Sequence, residues 1–512
     1  MRLFELLLLL SNLGLFALTV GLKKGRRRTP LFALSGIATL LLVIHGTVEG
    51  YRIQLVFPYC ITILFLVISG YRYLKKTGLP QIPRFMLGSV YTAIAIMLVG
   101  TAGLLYAFPV FQSPEPTGEY QVGTQSFHFV DAHREEIFGE TSDGKRELMV
   151  QVWYPAQAGT GKYAPFIPDT PILRYMAENY GLPGFLFQHL KYVSSHSYSR
   201  AEVSSAQISY PLILANPGNG SSRFLHTSQA ENIASHGYIV AVIDPTYNTF
   251  ATEFPDGRIT TNRTNELFSP SHDYQTERGN RDKLGKVLTG DVAFVLDQFE
   301  LIQSGQIPSH FKGRIDLNHV GVFGHSIGGA TAYDASFDPR IAVGIDLDGG
   351  LYRLQDREGL RKPFMFINSE SYYEKLKRVM DNRAYTDEEL NRMGSTREWE
   401  DQVAADKKLE LERMRDAVNG GGQLLYIENT EHLNFTDVPF ISPIFKMLGI
   451  TGKIAPERAN TVINAYMLDF FDRYLKNQGG VLMKGADSRF PEAKKPDSLG
   501  RSPGKGEAPA NH

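Results

Sequence analysis

The 512-residue chain has one cysteine, Cys60, so no intrachain disulfide can staple it. Cys60 lies inside an apolar run and reads as a small buried hydrophobe. A core as large as this length allows can dispense with disulfides, so their lack does not fix the compartment. Charge of one sign is also missing: 53 basic and 54 acidic residues leave a net charge of −1. That balance excludes a global attraction to nucleic acid. Scattered histidines and acids lack the spacing of a metal site, and beyond Cys60 there is no thiol to join one. No metal and no cofactor is therefore expected. Internal repeats are absent too.

What the chain does have is uneven apolarity. Four nearly uncharged runs stand at about Leu3–Val20, Leu31–Gly46, Ile53–Ile68 and Phe85–Phe108. A membrane-crossing helix needs roughly 20 apolar residues, and these runs lack the alternation of barrel strands. They predict a transmembrane anchor of four helices over residues 1–108. A cleaved signal peptide would carry its positive charge before the first run. Here Lys23, Lys24, Arg26, Arg27 and Arg28 come after it. The loop after the third run holds Arg72, Lys75, Lys76 and Arg84, whereas the loop between the second and third has Glu49 and Arg52. The positive-inside rule puts the two basic loops in the cytoplasm and everything after about Pro109 outside. The expected location is the cell membrane, multi-pass, with an extracytoplasmic catalytic domain. His45, near a helix end, reads as an interfacial residue. With no cluster of acids and bases in the runs, a transporter is disfavoured.

Residues 109–118 form a Pro-rich linker. Beyond it, short apolar segments alternate with helical ones. Strands are expected at Glu147–Tyr154, Pro211–Ala215, Gly237–Ile243, His319–Phe323, Ile341–Leu347, Pro363–Ile367 and Gln423–Ile427. Helices are expected at Ser228–Ser235, Leu284–Leu301, from Ile327, and at Arg458–Leu475. Continuous apolar strands alternating with helices predict an α/β fold with a mostly parallel sheet covered on both faces, over residues 119–478. Residues 372–418 are charged and helical. They read equally as a solvated insertion or as a cap over a site. Residues 479–512, rich in Gly, Pro, Lys and Ser, read as a disordered tail.

Gly324-His325-Ser326-Ile327-Gly328 follows a β-branched strand and opens a helix. This G-x-S-x-G elbow presents a serine on a tight strand-to-helix turn, the nucleophile position of an α/β-hydrolase fold. His325, beside it, reads as a packing or locally bonded residue. The base should come late in the chain, because this fold orders its triad serine, acid, histidine. Of the two later histidines, His512 ends the tail and His432 follows a late strand. Asp346 and Asp348 end the strand Ile341–Asp348; two apart, they face the same way, and spacing alone does not separate them. The Gly-rich turn after Pro211–Ala215 offers a backbone N–H at Asn219, with a second at Ile327, for an oxyanion hole.

Together these residues resemble the plasma-type (isoform II) platelet-activating factor acetylhydrolase family, including its bacterial relatives. The resemblance spans about Gly118 to Leu475. It includes Trp153-Tyr-Pro155, Pro211–Gly220, Gly324–Thr331, Gly344–Asp348, Phe366-Ile-Asn-Ser-Glu370 and His432-Leu-Asn-Phe-Thr-Asp437. Pro217-Gly218 stands where the family usually has His-Gly. The resemblance implies a metal-free Ser-His-Asp esterase or lipase and selects Asp348 as the acid. The expected function is carboxylic ester hydrolysis through an acyl-enzyme, with a phospholipid carrying a short or oxidised acyl chain as a candidate substrate. No nucleic-acid partner is expected. The alternative is a catalytically silent receptor or scaffold on the same fold.

Overall fold

A computed structural model describes residues 1–21, 28–75, 83–139, 144–157, 162–267, 271, 273–485 and 487–496. The basic residues Lys23–Arg27 and Lys76, and the tail beyond residue 496, lie outside the described residues. The chain divides into two compact units.

The first unit comprises Met1–Gln112, Pro165–Ser194 and Phe440–Ile444. Its four long helices are α1 (Leu3–Gly21), α2 (Arg28–Ile44), α3 (Val56–Lys75) and α4 (Arg84–Ala107). Each is long and apolar enough to cross a bilayer, which makes this a multi-pass membrane protein. Large apolar side chains such as Leu40, Ile63, Val67, Ile96 and Val99 point outward, as lipid-facing surfaces require. Cys60 is also exposed, not buried as its apolar setting suggested. Small polar pairs join the helices: Asn12 donates to Thr62 at 2.9 Å, and Ser35 meets Ser69 at 2.7 Å.

One end of this bundle is polar inside, contrary to the reading of His45 as a lone interfacial residue. A five-residue π-turn, His45–Glu49, extends α2. His45 is buried; its ring bonds Glu49 at 3.0 Å and the Tyr59 hydroxyl at 2.8 Å. Glu49 accepts the N–H groups of Phe4 and Glu5 at the start of α1, where a carboxylate complements the helix dipole. Glu5, fully buried, pairs with Arg52 at 2.8 Å. Arg52 also donates to the Phe108 carbonyl at 2.5 Å. Residues 165–194 join this end: Gln54 donates to the Leu186 carbonyl at 3.0 Å and Tyr192 to the Tyr51 carbonyl at 2.7 Å. Phe108 packs near Phe187, and Phe111 contacts both Phe166 and Phe440.

The second unit is built on an eleven-stranded sheet. Its strands are β1 (Gln121–Glu135), β2 (Lys145–Ala156), β3 (Tyr163–Pro165), β4 (Ser194–Ser199), β5 (Tyr210–Asn216), β6 (Ile239–Asp244), β9 (Ile315–His325), β10 (Ile341–Leu347), β11 (Phe364–Ser369), β12 (Gln423–Ile427) and β13 (Ala493–Lys494). The short hairpin β7 (Ala251–Glu253) and β8 (Ile259–Thr261) stands apart. The order is β13-β12-β11-β10-β9-β5-β6-β2-β1-β4-β3. From β12 to β6 every neighbour is parallel; β2 runs antiparallel to β6 and β1. This is the α/β-hydrolase fold.

Alternation along the strands splits the core in two. On β5, Leu212 and Leu214 enter one cluster, with Val292, Val295 and Phe299 of the helix Tyr274–Ser304. Ile213 and Ala215 enter the other, with Ile463, Met467 and Phe470 of the helix Pro456–Leu475. Each such burial contributes roughly 1.5–3 kcal/mol.

The segment read as insertion or cap forms three helices, Glu370–Met380, Asp387–Met393 and Arg397–Asn419. Its Leu376, Leu411, Met414 and Ala417 are buried with Phe364 and Phe366 of β11, so part of it covers the sheet. The expected tail is ordered further than composition suggested: Leu482 is buried, and β13 pairs antiparallel with β12.

Parallel order reverses at β5, which has β6 on one side and β9 on the other. In open α/β sheets the loops at such a switch point frame the ligand crevice. Here they are Pro217–Gly220 after β5 and Ser326 after β9.

Candidate active site

Ser326 stands between the end of β9 and the helix Ile327–Ala335 with φ 58° and ψ −125°. A side chain at positive φ costs on the order of 1–2 kcal/mol, so the surroundings must hold it. Ser326 N donates to the Leu347 carbonyl at 3.0 Å, and its own carbonyl accepts from Gly329 at 2.9 Å and Ala330 at 3.2 Å. The flanking glycines allow the turn to close. A Cβ at Gly324 would lie 2.0 Å from the Gly328 carbonyl oxygen, and one at Gly328 would lie 2.1 Å from that of Asn216. The serine itself is half-buried.

Asp348 follows β10 at φ 57°. Its backbone N–H donates to the Ile367 carbonyl at 2.9 Å. One carboxylate oxygen accepts from the Ser369 backbone at 2.5 Å, and the other meets His432 Nδ1 at 2.7 Å. Ser369 caps the helix Glu370–Met380, so the carboxylate sits beside a helix N-terminus, which favours negative charge. Its side chain is 1% exposed.

Asp346 goes elsewhere. Its carboxyl accepts from the Gly349 N–H at 2.7 Å and packs so tightly on the elbow helix that a Cβ at Gly329 would lie 1.9 Å away. Full burial, with Glu410 and Asp348 nearby, pushes this carboxyl well above the usual range. The two aspartates diverge because the positive φ at Asp348 turns the chain out of the strand.

His432 opens the short turn His432–Phe435 after β12 and is 47% exposed. The polar residues of His432-Leu-Asn-Phe-Thr-Asp437 hold that turn. Asn434 Oδ1 accepts from Glu431 at 2.8 Å and Gly452 at 2.7 Å. Asp437 N donates to the Leu225 carbonyl at 2.8 Å, and its carboxyl accepts from the Ser228 N–H at 3.1 Å and from the Ser228 hydroxyl. Burial raises the Asp437 carboxyl to about 7. Glu231, buried nearby with Ser197 and His196 as donors, is raised to about 8.

His325 links the elbow to the base. Its Nε2 donates to the His432 carbonyl at 2.9 Å, and the two rings lie 4.5 Å apart. That bond leaves Nδ1 as a bare acceptor. Burial, His432 and His226 keep the His325 ring neutral, well below its ordinary value. Its position beside the serine hinted at local bonding; nothing in the sequence hinted that its partner would lie 107 residues on.

On the other side, a Cβ at Gly218 would lie 3.1 Å from Ser326 Cβ, so the Pro217-Gly218 turn abuts the serine. Asn219, next in line, is exposed; its side-chain oxygen accepts from Asn248 at 3.1 Å and Asn262 at 2.7 Å. Ile327 supplies the first N–H of the elbow helix, a group with no intrahelical partner. The structure thus pairs Asp348 with His432 directly. It brings Ser326 alongside through the His325 link, with Ile327 beside the serine and Asn219 one residue beyond Gly218.

The chain matches the family model described as platelet-activating factor acetylhydrolase, isoform II, over residues 106–266 and 284–490. It is 25% identical over 441 residues to a platelet-activating factor acetylhydrolase of Cavia porcellus, covering 81% of this chain and 91% of that protein. It is 24% identical over 406 residues to a probable 1-alkyl-2-acetylglycerophosphocholine esterase of Arthroderma benhamiae, covering 75% and 93%. Among solved structures, a ferulic acid esterase from Streptomyces cinnamoneus aligns with TM-score 0.57 and 27% identity over 75% of this chain and 99% of its own.

Proposed function

The chain belongs to the platelet-activating factor acetylhydrolase, isoform II, family, a kinship that supports ester hydrolysis in general, and on that premise we propose that it is a membrane-anchored serine esterase of bacterial type working through Ser326, His432 and Asp348. The observation that carries the reading is the 2.7 Å contact of Asp348 with His432 Nδ1. A carboxylate on Nδ1 fixes the proton there and leaves Nε2 free to take a proton from a serine hydroxyl.

Ser326 attacks the ester carbonyl while His432 accepts its proton. Asp348, held by Ser369 and the helix end, stabilises the imidazolium. The N–H groups of Ile327 and Asn219 receive the charge on the carbonyl oxygen. The alcohol leaves with the proton from His432, and water, activated by the same base, releases the acid. Tethering to a bilayer favours lipid esters by raising their effective concentration. Short-chain or oxidised acyl groups of phospholipids are the proposed substrates, in keeping with the names of the relatives. Basic residues in the two loops after α1 and α3 support an extracytoplasmic catalytic domain.

The test is fluorophosphonate labelling and hydrolysis of p-nitrophenyl esters of graded chain length by the full-length protein in membranes. Wild type should label and turn over, and Ser326→Ala should do neither. A folded wild type that neither labels nor hydrolyses any of these esters would instead support the silent scaffold.

A further inference from the structure

A cleft of about 530 Å³ opens among the three helices Glu370–Met380, Asp387–Met393 and Arg397–Asn419. Neither Ser326, Asp348 nor His432 lines it. Its lining has two characters. Val379, Met393, Trp399 and Val403 supply apolar surface. Lys375, Arg378, Arg383, Arg397, Lys407 and Lys408 set six cations against the carboxylates of Glu400 and Asp401.

Four of the cations are engaged by acids. Arg378 and Arg383 share Glu389 at 2.5 and 3.8 Å, Arg397 meets Asp387 at 2.7 Å, and Lys407 meets Glu410 at 2.8 Å. Lys375 and Lys408 have no ion-pair or hydrogen-bond partner among the described residues. The volume is that of a small-molecule pocket. Apolar lining accepts methylenes, and uncompensated cations accept a negative charge. Both demands are met by one molecule with a single apolar tail and an anionic head.

We propose that this cleft binds a medium-chain alkanoate, a longer homologue of the short-chain acids that hydrolysis at Ser326 would release. The choice of a carboxylate rests on the esterase reading; the demand for an anionic amphiphile rests on the cleft alone. Lys407 connects the cleft to the catalytic acid. Its Nζ donates to the Tyr372 hydroxyl at 2.5 Å and to Glu410 at 2.8 Å. A Cβ at Gly350, two residues past Asp348, would lie 3.1 Å from that hydroxyl and 3.2 Å from Nζ. A carboxylate that draws Lys407 toward the cleft is therefore felt at the turn carrying Asp348.

The chain has two tryptophans. Trp153 is buried in β2 and Trp399 lines the cleft. Full-length protein in phosphatidylcholine nanodiscs is titrated with undecanoate brominated at its terminal carbon, and intrinsic fluorescence is read. The expected result is saturable quenching that disappears in Trp399→Phe. Affinity should weaken about fivefold in Lys375→Gln/Lys408→Gln, two surface charge interactions being lost. The double variant should keep its p-nitrophenyl acetate activity. A brominated alkyltrimethylammonium of equal length should give no saturable quenching. Absent quenching in the wild type, equal quenching by the cation, or an unweakened double variant overturns the proposal. Ser326→Ala should bind with unchanged affinity, so loss of catalysis and loss of this site are read separately.

Discussion

Replacing Asp348 by asparagine changes one atom and removes one charge. In the native site both carboxylate oxygens accept, one from the Ser369 N–H at 2.5 Å and the other from His432 Nδ1 at 2.7 Å. An amide has only one oxygen to offer. If it keeps Ser369, its NH₂ faces His432 and drives the imidazole proton to Nε2, the nitrogen that must accept from Ser326. If it keeps His432, the NH₂ opposes the Ser369 N–H at the head of a helix. Either choice loses the stabilised imidazolium. A wrong tautomer in a serine triad costs about 10⁴ in kcat, or roughly 5.4 kcal/mol of barrier. Asp346→Asn is the matched control. That carboxyl is buried, held above its usual range and bonded to Gly349, so an amide reproduces its neutral form, and kcat should change less than about threefold. Both are measured as kcat on p-nitrophenyl acetate with the full-length protein, beside fluorophosphonate labelling. Asp348→Asn within tenfold of wild type, or Asp346→Asn as damaged as Asp348→Asn, would refute the assignment of the acid.

Ser326→Gly should abolish turnover yet raise the thermal midpoint, because glycine relieves about 1 kcal/mol of strain at φ 58°; an unchanged or lower midpoint counts against the strain. Glu231 titrates at about 8 in the fold, above its unfolded value of about 4.3. The native state then holds a proton that the unfolded chain has lost. Stability should fall as pH rises between those values, with a slope up to about 1.4 kcal/mol per unit, and level off above. Glu231→Gln should flatten that slope in chemical unfolding; an unaltered slope shows that Glu231 is ionised in the fold. Arg52→Met takes from the buried Glu5 one of its two arginine partners, leaving Arg2 at 2.8 Å, and should cost about 1–3 kcal/mol, seen as faster proteolysis of the first 112 residues. Adding Glu5→Gln should restore much of it.

The soluble fold was legible because its central strands are short apolar runs between helices. Ile341–Leu347 and Gln423–Ile427 match residue for residue. The long strand β1 was not seen: Gln121–Glu135 mixes exposed His and Ser with buried Val and Phe, as a strand with one wet face does. The serine and histidine followed from the elbow and from chain order. Spacing did not separate Asp346 from Asp348, and only the family resemblance selected Asp348; the positive φ that parts the two side chains is not encoded in spacing. The polar end of the helical bundle was missed because Glu5, His45, Glu49, Arg52 and Tyr59 are scattered among apolar residues and meet only in space.

The membrane unit is not finished when its four helices are. It takes in Pro165–Ser194 and Phe440–Ile444, where Ser442 donates to the Ala107 carbonyl at 2.6 Å. On a growing chain the helices enter the bilayer first, and the pieces that complete their unit arrive much later. The buried charges at that end must wait through most of translation for their cover, a window open to insertion chaperones and membrane proteases. The same timing governs shortened chains. One that begins after Gln112 retains Phe166 and Phe187 but not the Phe111 and Phe108 they pack near. It is a protein with an unfilled apolar seam, and its solubility would report on that seam before it reported on catalysis.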